Sequence, residues 1–327
     1  HRDSQAQEAQ GAGAMTLRIL DYPWHQAHLY RLTALPAEFT IARVRDPAWN
    51  TLQRPVPGNV RFVGVDAIDP HDYDVALLHL DQWCDRLNVR ASSYRLMKQI
   101  TSAIPQTVIF HGTIDDARNR RALQRLIGDL PVVCNSYQAA EELRGAEGRL
   151  DRYGNQQFTA IIHGYQDEFW NYPLERRRQS VITICSGNEL SREYHGIPLL
   201  ERLERDVPLD WYGPAGNREW KTNFDDYRDM LASSLIYFSP TRRGPMPGAR
   251  TEAMLSGACI VSVPGHNVEF FIENDQTGYI VETYDEARYR LRKLLRHPEV
   301  AYRIGQQGRE EARAHLSSPR YVRDWLT

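Results

Sequence analysis

Short apolar runs alternate with segments of helical periodicity along most of the 327-residue chain. In the first half the runs that predict strands are residues 17–20, 39–44, 60–65, 75–80, 107–110, 132–134 and 158–162. The predicted helices are residues 26–35, 89–104, 115–130 and a segment that ends at residue 143 and has Ser136 as its N-cap. Alternation of this kind predicts a parallel sheet with crossover helices on its faces.

The same pattern restarts after a connection rich in proline and aromatic residues, 168–174. Strands are predicted at residues 181–185, 209–212, 235–238, 258–263 and 277–281, and helices at 197–205, 224–232, 285–295 and 298–316, with a short helix that Gly257 closes. We therefore predict two αβα domains, residues 15–168 and 169–327, with the last helix a candidate to pack back on the first domain. Residues 1–14 are polar and small and are interpreted as a tag or disordered tail.

The composition of the chain argues against several classes of protein function. A formal charge of −2 gives no global sign of a nucleic-acid or anionic-membrane partner. Schiff-base and pyridoxal chemistry have few candidates, because only three residues are lysines: Lys98, Lys221 and Lys293. No apolar run approaches the roughly 18 residues of a membrane span, and no signal peptide is visible. The cysteines are far apart and are expected to be reduced core residues of a cytosolic protein: Cys84, Cys134, Cys185 and Cys259.

The most informative stretch is residues 235–263, a strand, a loop broken by proline and glycine, a short helix and a second strand. Thr251 and Glu252 are expected in the first turn of that helix, where amides without helical partners favour an anion. An ordinary connection whose proline and glycine only shape a turn is the alternative. Polar or small residues also follow five predicted strands, at His111, His163, Ser186, Gly213 and Gly265. Ligands of open parallel sheets bind at such strand ends, so the cleft between the domains is the expected site.

The order and spacing of these segments resemble the retaining glycosyltransferases of family 4, which have the α/β GT-B fold with two Rossmann-like domains facing across a cleft. The resemblance covers roughly residues 105–315. It is carried by TRRGPMPGARTEAMLSG and PGHNVEFFIENDQTGYIV in the second half, and by VIFHGT, VVCNSYQAAEEL and IIHGYQDEFW in the first.

The resemblance implies a role for several residues. Glu252 would accept hydrogen bonds from the ribose hydroxyls of a sugar nucleotide, and the amides around Arg250 and Thr251 would receive its diphosphate. His111 would lie beside the donor sugar. Glu269 matches a position near the donor, although an exposed turn carboxylate is an equal alternative. The glycines that would line the nucleotide-sugar site are Gly187, Gly213 and Gly248.

The chain also departs from the family. Gly244 stands where the first glutamate of the Glu-x7-Glu motif would be, and Asn188 and His195 stand where the family has two basic residues that bind diphosphate. The candidate replacements are Arg250 and Arg192 first, then Arg242 and Arg243, and the alternative for each is a solvated surface charge. In place of the family's acceptor-side glycine loop the chain has Trp24 and His25, which line an acceptor site or form a packed N-cap region.

The resemblance implies metal-independent transfer of a hexose-type sugar from a UDP- or GDP-sugar, with retention at the anomeric carbon and no permanently bound cofactor. A GT-B protein that binds sugar nucleotides without transfer, and a GT-B sugar-nucleotide epimerase, are the alternatives. The acceptor is a glycan, a lipid-linked molecule or another compound. A basic helix could touch the inner face of a membrane or a nucleic-acid or other polyanionic acceptor, or could be a plain amphipathic surface helix. Its arginines are Arg118, Arg120, Arg121 and Arg125.

Overall fold

The computed structural model describes residues 16–86, 88–146, 148–185, 192–214, 216–219, 223–244, 246–265 and 271–327. The first half forms a parallel sheet of β1 (Leu17–Asp21), β2 (Ala37–Ala42), β3 (Val60–Val63), β4 (Val75–Leu80), β5 (Gln106–Phe110), β6 (Val132–Cys134) and β7 (Phe158–Ala160). Their spatial order is β3-β2-β1-β4-β5-β6-β7. The helices are α1 (Gln26–Leu32), α2 (Val89–Ile100), α3 (Ala117–Ile127) and α4 (Tyr137–Arg144).

The second half forms another parallel sheet, with the order β12-β11-β10-β8-β9. Its strands are β8 (Arg178–Ile184), β9 (Leu209–Tyr212), β10 (Ser234–Ser239), β11 (Cys259–Ser262) and β12 (Tyr279–Ile280). Its helices are α5 (Arg192–His195), α6 (Ile197–Leu203), α7 (Phe224–Ala232), α8 (Gly248–Leu255), α9 (Tyr284–Arg296), α10 (Pro298–His315) and α11 (Ser318–Leu326). Short 3₁₀ helices lie at Val65–Ala67, Pro70–Asp72, Gln82–Asp85 and Leu174–Arg176.

Each predicted strand is present, and most of the observed strand ends lie within a few residues of the predicted ends. The strands are apolar on both faces because each sheet is covered on both sides: two separate apolar cores flank the first sheet and two flank the second. Ser136 caps α4 by accepting a hydrogen bond from the Ala139 amide at 3.0 Å, as predicted. Gly257 has a φ of +76° directly after the C-cap of α8, which confirms the predicted helix end. All four cysteines are buried, and none of them forms a disulfide bond within the part of the chain that the structure describes.

The prediction for the start of α8 was wrong. The helix begins at Gly248, so Thr251 is its fourth residue and Glu252 its fifth. The Thr251 amide already donates to the Pro247 carbonyl at 3.5 Å. The first-turn amides, which helix geometry leaves without partners inside the helix, therefore belong to the residues before Thr251.

A helix that the sequence pattern did not separate, α11, follows α10 and packs against the first sheet. Its Tyr321 is 1% exposed and shares a core with residues of β1, β2 and α1. The chain crosses between the two halves twice, and the two crossing segments lie side by side. They are joined by two hydrogen bonds: the Tyr165 amide donates to the Leu316 carbonyl, and the Ser318 amide donates to the Tyr165 carbonyl. Gly164 permits this contact, since a Cβ there would lie 2.1 Å from that of Tyr321.

Among the helices that the structure describes, none combines the length and the apolar character that crossing a membrane requires.

Candidate functional site

Histidines gather at the carboxyl edge of the first sheet. His79 is near the end of β4, His111 directly follows β5, and His163 lies shortly after β7, while α1 contributes His28. Parallel strands end at the same edge, and this brings residues from four separate segments together. We call His28, His79, His111 and His163 the histidine cluster.

A chain of hydrogen bonds runs through this cluster. The Asn135 amide nitrogen donates to His111 Nδ1 at 3.1 Å, so the ring proton of His111 lies on Nε2. That Nε2 lies 2.8 Å from His79 Nδ1, and His79 Nε2 lies 2.7 Å from a carboxylate oxygen of Asp21. The orientation of Asn135 thus places the ring protons of His111 and His79 on their Nε2 atoms. Asp21, at the end of β1, accepts the last hydrogen bond of the chain.

His28 and His163 complete the cluster. The His28 ring centroid lies 4.6 Å from that of His111 and 4.9 Å from that of His163. His163 Nδ1 accepts a hydrogen bond from Arg31 Nη1 at 3.3 Å. Burial lowers the pKa of His28, His111 and His163 well below 6.5, and neighbouring histidines and arginines lower it further. These three rings are therefore neutral at pH 7.

The carboxylate of Glu252 faces the first domain and forms a buried ion-pair network. Arg31 Nη2 and Arg54 Nη2 donate to its Oε1 at 2.7 and 3.0 Å, and the Tyr227 hydroxyl donates to Oε2. Burial alone would raise the pKa of Glu252, but Arg54 and Arg31 outweigh it and lower that pKa to about 2. Glu252 is therefore ionised, and both of its oxygens are engaged by protein groups.

The two guanidinium groups are fixed by aromatic and backbone neighbours. Arg31 lies 4.2 Å above the Tyr165 ring and Arg54 lies 4.1 Å above the Phe224 ring. Gly248, the first residue of α8, leaves room for Arg31, because a Cβ there would lie 2.7 Å from Arg31 Nη2. Arg31 thus stands at the amino end of α8 while bonding both His163 and Glu252.

The structure brings some predicted site residues to this region. Trp24 stacks over His79 and His111 with centroid separations of 6.0 Å. His25 occupies the N-cap position of α1 without a side-chain cap bond. His25 is an exposed residue. Trp24 thus borders the histidine cluster, and the acceptor-side role of Trp24 and His25 stays a prediction.

Four other predicted site residues are buried in the protein or contact other protein groups. Arg250 and Thr251 are 4% and 2% exposed within α8, which leaves little of either side chain open to a ligand. Arg192 forms an ion pair with Glu201 at 2.7 Å. Gly213 has a φ of +154° and packs against the Cys185 carbonyl, where a Cβ would lie 1.9 Å away.

The remaining predicted positions lie at the surface or outside the described residues. Arg243 forms an ion pair with Asp115 of the first domain at 3.3 Å, and Arg242 is exposed beside it. Gly187 and Glu269 fall outside the described residues, as does Asn188. In α3 the apolar stripe packs into the core, which fits an amphipathic surface helix, and three of its arginines are exposed: Arg118, Arg121 and Arg125. Arg120 is half-buried, and contact of this helix with a membrane or polyanion stays a prediction.

The sequence reasoning missed Arg31, Arg54, Asp21 and His79. Asp21 and His79 could have been found from their positions at the ends of predicted strands. Arg31 and Arg54 carry no such signal, because their partner Glu252 is 221 and 198 residues away along the chain.

Comparison with known protein families finds a match in the second half of the chain. A family model described as glycosyl transferase-like matches residues 192–327, which include α8 and Glu252. A trehalose synthase of Pyrococcus horikoshii is 29% identical over 76 residues, which are 23% of this chain and 18% of that protein. The matched segment thus covers less than a fifth of that relative.

Solved structures match nearly the whole chain at low identity. Anabaena HepE, solved in complex with UDP and glucose, has a TM-score of 0.69 at 13% identity, covering 95% of this chain and 98% of that one. Sucrose-phosphate synthase from Thermosynechococcus elongatus has a TM-score of 0.67 at 13% identity, covering 95% and 97%. A glycosyltransferase from Rickettsia africae has a TM-score of 0.62 at 12% identity, with the same coverage. The chain therefore has the α/β GT-B fold of two Rossmann-like domains, as the sequence resemblance implied.

Proposed function

We propose that this protein is a glycosyltransferase that moves a hexose-type sugar from a nucleoside-diphosphate sugar to an acceptor, with retention at the anomeric carbon. One observation carries the proposal: Arg31 joins the histidine cluster of the first sheet to Glu252 and the amino end of α8 in the second. One guanidinium therefore links the cluster that contains His111, the residue expected beside the donor sugar, to Glu252, the residue expected beside the nucleotide. Retention follows from the resemblance to family 4.

A UDP-sugar is the first donor to test, followed by GDP-sugars. HepE was solved with UDP-glucose bound, and its fold matches 95% of this chain. The glycosyl transferase-like match also includes all of α8, the helix whose amino end would receive the diphosphate.

Arg31 is the cation best placed for the diphosphate. The first amides of α8 lack helical partners and attract an anion, and Arg31 contacts Gly248 at that end. A guanidinium suits bidentate contact with phosphate oxygens. Arg31 would thus replace the basic residues that are absent at Asn188 and His195, and would stabilise the leaving diphosphate without a metal ion at that position.

Glu252 would bind the ribose only after an exchange of partners. Its oxygens now accept from Arg31, Arg54 and Tyr227, so ribose hydroxyls must replace some of these donors. Arg54 belongs to the first domain and Glu252 to the second, and their separation would accompany donor binding. His111 would likewise exchange one of its two present partners for a hydroxyl of the donor sugar.

The proposal is tested by incubating the purified protein with UDP-, GDP- and ADP-sugars, with free glucose and ATP as controls. Melting temperature reports binding, and slow release of free sugar reports transfer to water. Stabilisation by one sugar nucleotide with sugar release supports the proposal. Stabilisation without any turnover, even with acceptors present, would make the protein a binding protein, and an epimeric sugar nucleotide as product would make it an epimerase.

A further inference from the structure

We propose that His28, His79 and His111 bind one divalent transition-metal ion of the zinc class. The three side chains come from α1, β4 and the residue after β5, and each offers a ring nitrogen such that these atoms all lie within 4.8 Å of one another. The inference goes beyond sugar transfer and does not rest on it.

His28 supplies the first argument. Its side chain is 2% exposed, and neither of its ring nitrogens has a hydrogen-bond partner among the described residues. Buried polar atoms without a partner are rare in folded proteins. The ring lies 4.6 Å from that of His111 and 6.2 Å from that of His79, so a ligand at this point would be shared by all three.

The outer partners of His79 and His111 supply the second argument. His79 directs Nε2 to the Asp21 carboxylate, which leaves Nδ1 facing the cluster, and such carboxylate–histidine pairs are typical of metal sites. His111 directs Nδ1 to Asn135 and leaves Nε2 facing the cluster. Rotating the Asn135 amide by half a turn would let its oxygen accept from Nδ1–H.

Metal binding then needs only a change of tautomer. The proton that His111 Nε2 now shares with His79 Nδ1 would be replaced by the ion, and His111 would carry its proton on Nδ1 instead. The proton moves from one nitrogen to the other nitrogen of the same ring, so no net proton is released.

Geometry and charge also suit the ion. Tetrahedral zinc with Zn–N bonds of about 2.0–2.1 Å holds its ligand nitrogens about 3.4 Å apart. The observed separations run from 2.8 Å between His79 and His111 up to 4.8 Å, so small side-chain rotations reach this spacing. The buried Asp21 carboxylate offsets part of the ionic charge, and the nearby Arg31 is itself paired with Glu252. Three imidazoles leave a fourth coordination position for a small ligand.

The test uses the full chain after dialysis against a chelator. ZnCl₂ and CoCl₂ are added, bound metal is measured by equilibrium dialysis, and the visible spectrum of the cobalt form reports four-coordinate nitrogen ligation. We expect one ion per chain, the cobalt bands, displacement of cobalt by zinc, and no comparable binding of Mg²⁺.

Three variants make the assignment specific. His28→Ala and His111→Ala should each weaken zinc binding at least tenfold, whereas His297→Ala, a change of an exposed histidine on the second domain, should leave it unchanged. Should His28→Ala fail to fold, the partly exposed His111 provides the decisive variant. Absence of stoichiometric cobalt binding by the wild type would overturn the proposal. Unchanged affinity in the foldable cluster variants would also overturn it, because the ion would then be bound elsewhere.

Discussion

Replacing Glu252 with glutamine will remove the negative charge that two buried arginines share. The side chains of Glu252, Arg31 and Arg54 are 4%, 6% and 9% exposed, so solvent screens this network little. Neutralising one partner of a buried ion pair typically costs about 3–5 kcal/mol, because the opposite charge is left uncompensated. Glutamine keeps the size of the side chain and an acceptor oxygen. We therefore expect the free energy of unfolding to fall by about 3–5 kcal/mol.

Urea unfolding followed by tryptophan fluorescence measures this loss, since Trp49 and Trp211 are buried in the first and second domains. Asp74→Asn is the matched control, because it removes the same charge from a pair with Arg18 whose side chains are 28% and 39% exposed. Such exposed pairs contribute about 0–1 kcal/mol. A Glu252→Gln loss no larger than that of Asp74→Asn would refute the reasoning.

A double variant separates lost charge from lost packing. If the cost of Glu252→Gln comes from two unpaired cations, then adding Arg54→Met removes one of them and should recover part of the stability. Losses that simply add in the double variant would mean that Glu252 and Arg54 contribute independently, contrary to the 3.0 Å contact between them.

Three further predictions concern pH and ligands. The pKa of Glu252 is lowered in the folded state from 4.5 to about 2, so its stabilisation is present above pH 4.5 and is lost as the pH falls toward 2; urea midpoints measured over that range should show this dependence in the wild type and lose it in Glu252→Gln. Arg31→Met should weaken UDP binding at least tenfold in calorimetric titrations while the exposed Arg242→Met does not, and equal affinities would exclude a diphosphate role for Arg31. His111→Ala should lower sugar release about 100-fold with nearly unchanged UDP affinity, and an unchanged rate would exclude its role at the donor sugar.

Much of the fold could be predicted because both sheets are buried on two faces. A strand such as β4, residues Val75–Leu80, then appears in the sequence as an uninterrupted apolar run. The start of α8 was harder to locate, because its N-cap is Pro247 and no side chain caps the helix. The sequence around it therefore has no capping residue to mark the first turn, and Thr251 and Glu252 were placed too early.

The site was predictable where motifs or strand ends mark it, as at His111 and Glu252. It was not predictable where two distant segments supply one contact. Nothing near Arg31 or Arg54 in the sequence indicates that their guanidinium groups meet a carboxylate on the other domain. His28 lies on the buried face of α1, and the sequence around it does not distinguish a histidine of a functional cluster from an ordinary buried polar residue.

The return of α11 to the first sheet affects how the protein can be assembled. Tyr321 fills the same core as Leu32 and Phe39, so that core stays incomplete until residues 318–326 have left the ribosome. A fragment that ends near residue 165 would expose an apolar surface, and would be prone to association with chaperones or with itself. The first half of this protein therefore depends on complete synthesis of the second half to reach its final form.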